Sequence, residues 1–169
     1  LTIERTIMSN FSSMNIDSWL LQALQSQHIT TPTEIQESTI PLILDGRDVI
    51  AQAPTGTGKT LAYLLSTLGK LDQNSNKIQM LILSPTRELA IQISDEVTKL
   101  IKDSHLVMLP IYGGVDTHNQ IKKIDKGVHV IVATPGRLID LMKQGIVKLD
   151  GLKIMIIDEA DQMLLLGFK

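Results

Sequence analysis

The chain has 169 residues, a formal net charge of −2, 43% apolar and 20% charged residues, and no cysteine. That is enough for one domain with a real hydrophobic core, and it excludes a disulfide scaffold and a thiolate metal site while fitting a cytoplasmic setting. No apolar run approaches the roughly 18–20 residues of a membrane span, no signal-peptide pattern opens the sequence, and the bulk charge does not announce a nucleic-acid binder.

Residues 1–10 read as an N-terminal extension or vector-derived remnant, with Met8 a candidate natural start, and 11–169 as the domain. Trp19, Leu20, Ala23 and Leu24 form an apolar helical face. Thr31-Pro32-Thr33-Glu34 reads as a capping box with proline at the first helical position, and Gln36 follows in the first turns. The Gln36 amide offers a donor and an acceptor, which matches the adenine edge; a lone glutamine on a helix is more often simply solvated. Asp48–Ala53 is the first of five short apolar runs, followed by Ile78–Ser84, Val107–Tyr112, His129–Thr134 and Lys153–Asp158. Ile78–Ser84 is apolar without alternation, as in a parallel strand covered on both faces. Leu61, Leu64, Leu65 and Leu68 make one intervening helical face; Leu89, Ile93, Val97, Leu100 and Ile101 make another. Strands alternating with helices predict an α/β domain, a mostly parallel sheet flanked by helices, with ligands at the C-terminal strand ends.

Those ends carry the chemistry. Ala53-Pro54-Thr55-Gly56-Thr57-Gly58-Lys59-Thr60 matches the phosphate-loop pattern, with alanine in place of the first glycine. Its small residues let backbone N–H groups wrap phosphate oxygens, Lys59 supplies a cation, and the Thr60 hydroxyl suits Mg²⁺. Asp158, at the tip of an apolar strand, suits Mg²⁺ coordination, and Glu159 is placed to orient or deprotonate an attacking water. The alternative is that Asp158 caps the next helix and Glu159 merely sits in its first turn. Ser84-Pro85-Thr86-Arg87 and Thr134-Pro135-Gly136-Arg137 share one design: an N-cap, proline at the first helical position, and arginine at the third. Both offer helix-start N–H groups and a guanidinium to phosphate, although such starts are also common simple caps. Gly113-Gly114 permits close backbone approach. His28, His105, His118 and His129 lack metal-ligand spacing and read as surface or loop residues. Aromatics make up only 3% of the chain, too few for base-stacking platforms, so nucleic acid is expected to be gripped by its backbone.

In this order and spacing, from Phe11 to Phe168, the residues resemble the DEAD-box RNA helicases. Thr31–Gln36 resembles the family's Q motif, Ala53–Thr60 motif I, Pro85–Ala90 motif Ia, Gly113-Gly114 the GG doublet, Thr134–Arg137 motif Ib, and Asp158-Glu159-Ala160-Asp161 the motif that names the family. The resemblance implies a RecA-like fold, ATP and Mg²⁺ as ligands, and ATP-dependent remodelling of RNA. Gln36 would read adenine with Thr33 nearby, and Phe11 matches the isolated upstream aromatic. Ala53, Thr55, Gly56, Thr57, Gly58, Lys59 and Thr60 would hold ATP, with Lys59, Asp158 and Glu159 catalytic and Asp161 coupling to a second domain. Pro85, Thr86, Arg87, Gly113, Gly114, Thr134, Pro135, Gly136 and Arg137 would line the RNA backbone. Ile29 stands where the family usually has an aromatic that packs on adenine, and His28 where it usually has glycine; adenine preference is expected to survive with some loss of affinity. No Ser-Ala-Thr motif and no second RecA-like domain with arginine fingers follow. The family's Ser-Ala-Thr strand lies between the phosphate-loop strand and the DEAD strand, so the chain is expected to be part of a longer polypeptide. On its own it is expected to be inactive in unwinding. A P-loop ATPase acting on DNA and a nucleotide-gated RNA clamp are the rival readings.

Overall fold

The computed structural model describes residues 10–114 and 117–168; Met8 and all of the expected N-terminal extension except Asn10 lie outside the described residues. The chain divides into two compact units, Leu1–Lys70 and Leu71–Lys169.

The first unit is helical. A single 3₁₀ turn (Phe11–Ser13) precedes α1 (Ser18–Ser26), α2 (Glu34–Leu44) and α3 (Lys59–Thr67). Leu20 and Leu24 lie one turn apart and are buried, as are Phe11, Ile40, Leu64 and Leu65. The predicted helical faces are therefore the packed ones. Helix α1 ends in a Schellman motif: the His28 N–H donates to Gln25 O (3.0 Å) and the Ile29 N–H to Leu24 O (3.0 Å). His28 occupies the left-handed position of that motif at φ +58°. An L-residue there costs about 1–2 kcal/mol.

The second unit is a parallel sheet. β1 (Met80–Leu83), β2 (Met108–Ile111), β3 (Val130–Ala133) and β4 (Ile154–Ile157) pair in the order β2-β3-β1-β4. Helices α4 (Arg87–Ile101), α5 (Thr117–Asp125), α6 (Pro135–Lys143) and α7 (Ala160–Leu165) alternate with them. Helix α4 packs on β2 and β3 and buries Ala90, Ile93, Val97 and Leu100. One sheet face presents Leu81, Ile131, Leu109 and Ile111 to Leu138 and Leu141 of α6 in a single core cluster. Apolar residues on both faces of β1 and β3 are thus explained: helices cover both sides. The pairing is in register, with Leu83 opposite Ala133 and Ile157, and Ala133 opposite Ile111. All four strands therefore end on one row, and the loops that follow leave from a common edge.

Two expectations need correction. Asp48–Ala53 is not a strand; it carries no regular structure, and Ile50 is fully exposed. The first unit has no strand among its described residues, so this extended run finds no ladder there, and β propensity alone does not hold a strand. His129, read as a surface or loop residue, lies in the bend before β3 but is buried rather than at the surface. It is 5% exposed, and its Nδ1 accepts a hydrogen bond from the Val107 N–H at 2.9 Å, ahead of the β2–β3 pairing.

The positive φ of His28 yields a stability test. His28→Gly relieves the left-handed penalty and is expected to stabilise the protein by about 0.5–1 kcal/mol in chemical denaturation, after the added freedom of the unfolded chain is subtracted. Unchanged or lowered stability would mean that the imidazole makes a compensating contact.

Candidate functional site

The phosphate loop is built by two left-handed glycines. Gly56 lies at φ +82° and Gly58 at φ +88°, and Gly58 is the N-cap of α3. The chain thereby turns sharply and delivers Lys59 and Thr60 to the first turn of a helix, where backbone N–H groups lack intrahelical partners. Thr57 Oγ1 donates to Pro54 O at 2.7 Å and braces the loop. The Lys59 ammonium bends back and donates to the Ala53 carbonyl. Thr55 and Gly56 are exposed.

The Thr33–Gln36 segment locks onto this loop. Gln36 is only 2% exposed, so it is not the solvated glutamine of the bland reading. Its Oε1 accepts from the Thr33 N–H at 2.9 Å and its Nε2 donates to Gly58 O at 3.0 Å. Thr33 Oγ1 donates to Thr57 O at 2.8 Å. The capping box is real but shifted: Thr33 is the N-cap and Gln36 closes the box. Thr31 is not the cap, and Pro32 precedes the helix: Glu34 has the same spacing from Thr31, but the bond formed is the one from the Thr33 N–H to Gln36. Phe11 is buried within the first unit at 4% exposure, and Ile29 is half-buried after α1.

In the second unit the strand-end loops gather the remaining predicted residues. The Ser84 N–H donates to Ala133 O at 2.9 Å, which prolongs the sheet by one residue. Ser84 is therefore not a helix cap. Thr86 is; its Oγ1 accepts from the Leu89 N–H at 3.2 Å, so Pro85 lies before α4 and Arg87 opens it. The Thr134 loop has the expected form, with Thr134 at the N-cap and Pro135 at the helix start. The two proline-arginine loops are thus not copies. Pro135 is buried, Gly136 exposed and Arg137 half-buried. The Arg87 guanidinium lies over the Tyr112 ring, 5.2 Å from its centroid, and Gly114, at φ +80°, packs against it. Gly113 is exposed. Sequence reasoning missed Tyr112; the available signal was its place directly before the glycine doublet.

Asp158 follows β4 and continues the sheet, its N–H donating to Leu83 O at 2.9 Å. Its Oδ1 accepts the Glu159 N–H at 3.0 Å. Glu159, not Asp158, is the N-cap of α7, and it sits at φ +49°, ψ +50° without capping through its side chain. Asp161 is exposed in the first turn of α7. Burial raises the Glu96 carboxyl of α4 above its ordinary value; Lys99 opposes this and the Asp158 charge adds to it. The phosphate loop and the Asp158 turn belong to different units. Among the described residues no group of three His, Cys, Asp or Glu gathers to hold a metal.

Two measurements follow. Gly58→Ala places a Cβ 2.4 Å from Gln36 Nε2 on a backbone that disfavours side chains. We expect a loss of about 1–3 kcal/mol in denaturant unfolding, less than additive with Gln36→Ala; strict additivity would separate the glutamine from the loop. For Glu96, a raised carboxyl takes up protons on folding, so stability falls as pH rises from the ordinary carboxylate value through the raised one, and stays lower above it. Glu96→Gln is expected to remove that slope and raise the melting temperature slightly at neutral pH. A melting temperature that drops at neutral pH would contradict it.

The DEAD/DEAH box helicase family model matches residues 33–169. The ATP-dependent RNA helicase CshA of Listeria monocytogenes is 45% identical over 161 residues, covering 95% of this chain and 31% of the relative. The CshA of Limosilactobacillus reuteri is 46% identical over 158 residues, 94% of this chain and 32% of the relative. The crystal structure of a DEAD box protein from the hyperthermophile Methanococcus jannaschii superposes with a TM-score of 0.89 at 39% identity, covering 94% of this chain and 44% of that one. The chain thus spans about a third of the length of these curated relatives, and with a family model matching most of its length it belongs to the DEAD/DEAH box helicase family.

Proposed function

We propose that the chain supplies the ATP-binding and RNA-backbone-binding part of an ATP-dependent RNA helicase of the cytoplasm. The observation that carries this reading is the Thr33–Gln36 lock on the phosphate loop, made by three hydrogen bonds among Thr33, Gln36, Thr57 and Gly58. It ties the segment expected on the adenine side to the loop expected on the phosphates. Each amide atom of Gln36 keeps a second hydrogen-bonding position, which an adenine edge would use. Gly56, Thr57 and Gly58 present backbone to phosphate oxygens, and Lys59 exchanges its own loop carbonyl for the β- and γ-phosphates. Thr60 and Asp158 are hard oxygen donors of the kind Mg²⁺ prefers; Mg²⁺ would neutralise charge on the transferring phosphoryl group. Glu159 orients or deprotonates the attacking water.

The loops after β1, β2 and β3 are proposed to grip successive phosphates through Pro85, Thr86, Arg87, Gly113, Gly114 and Thr134–Arg137, with little base specificity. Asp161 is proposed to couple the site to a second RecA-like domain. Residues 11–169 are proposed to be one part of a longer polypeptide. Met155 and Ile157 are half-exposed on β4 although they lie beside buried Leu81 and half-buried Leu83 in the register, which supports a covering segment elsewhere in that polypeptide.

The test is ATP hydrolysis by the full-length protein alone, with single-stranded RNA, and with DNA of the same sequence. We expect strong stimulation by RNA only, reduced at least about 100-fold by Lys59→Ala. Equal stimulation by DNA, or none by either, would refute the RNA reading.

A further inference from the structure

We propose that Tyr112 is a positioning residue that holds the Arg87 guanidinium in place for a nucleic-acid phosphate. This rests on the reading of the strand-end loops as an RNA-backbone surface. The sheet order β2-β3-β1-β4 puts β3 between β1 and β2. Arg87 opens the helix after β1, and Tyr112 directly follows β2. Adjacent strands lie about 4.8 Å apart, so the arginine reaches toward a ring some two strand spacings away, across the end of β3. There Thr134 donates its N–H to Ile111 O at 3.0 Å and begins the next loop. One cation is thus laid over the ends of three strands.

The ring explains how a long side chain stays there. An exposed arginine loses rotamer freedom when it is fixed, and stacking on an aromatic face offsets part of that loss. The guanidinium is planar, and its N–H donors lie in its plane. A ring that holds the guanidinium through its face would leave the N–H edge for a bidentate phosphate contact. Gly114 completes the seat: a Cβ there would come within 2.9 Å of Arg87 Nη1, and the backbone sits at φ +80°. Tyr112 and Gly114 therefore both lie close to the same guanidinium.

The experiment measures single-stranded RNA affinity and its salt dependence in the full-length protein for Arg87→Ala, Tyr112→Leu, Tyr112→Phe and the Arg87→Ala/Tyr112→Leu double variant. Tyr112→Leu is expected to bind about 3- to 10-fold more weakly, with a salt slope lower by about 1, as for loss of one phosphate contact. Tyr112→Phe keeps the π face and is expected to bind like the parent. The double variant is expected to be no weaker than Arg87→Ala alone. If Arg87→Ala loses affinity and Tyr112→Leu does not, the positioning role is overturned while the RNA reading stands. If Arg87→Ala itself binds normally, Arg87 is not on the RNA surface, and both fail at this position. Equal losses in Tyr112→Leu and Tyr112→Phe would assign the effect to the hydroxyl and also overturn the proposal. Melting curves check folding. Tyr112→Met fills similar space without a π face and gives the same readout if the leucine variant does not fold.

Discussion

Parallel pairing in strict register is the constraint from which the second unit follows. Leu83, Ala133, Ile111 and Ile157 lie on one row, so Ser84, Thr134, Tyr112 and Asp158 leave the sheet side by side. A slip of one residue in any strand would turn its buried side chains to the opposite face and would also take one loop off that edge. The same apolar residues that specify the core, Ile82, Ile131 and Val132 among them, therefore specify where the polar loops stand. Packing and site geometry are one requirement here, because a strand buried on both faces has no second register that satisfies both helix layers.

The first unit solves a different problem with different means. Among its described residues no strand holds the glycine-rich loop, and side chains brace it instead. Thr33 and Gln36 bond to the carbonyls of Thr57 and Gly58. These carbonyls face α2 because Gly58 is left-handed, and only glycine leaves room for the Gln36 amide. Burying an amide costs free energy unless its donors and acceptors are met. Gln36 meets one of each within the protein. The lock is thus stabilising only as a set: removing either partner strands the other.

Much of this was legible in the chain order of the residues. The four strands of the sheet and helices α1, α3 and α4 follow from apolar runs and 3.6-residue periodicity, since the central strands β1 and β3 are covered on both faces. Three features were not legible. The extended run at Asp48–Ala53 has the composition of a strand, but pairing depends on a neighbour that composition does not reveal. The shifted caps at Thr33 and Thr86 came out wrong because proline after threonine or serine satisfies the rule for a helix start in two frames. Which frame wins is set by tertiary bonds, Gln36 to Gly58 in one case and Ser84 to Ala133 in the other. The Arg87–Tyr112 stack joins segments separated by a helix and a strand, and no local pattern encodes it.

The turn at Asp158-Glu159 shows why order within a motif matters physically. Glu159 holds a left-handed backbone at φ +49° without being glycine, a conformation that costs about 1–3 kcal/mol and persists only where its surroundings impose it. Two restraints impose it here. Asp158 is fixed by its bond to Leu83 O, and its own Oδ1 takes the Glu159 N–H. A short acidic side chain at the strand end can accept from the next N–H; one methylene longer, the oxygen would overshoot it. The aspartate therefore shapes the turn that the glutamate must occupy, and exchanging the two carboxylates would conserve charge while dissolving the geometry.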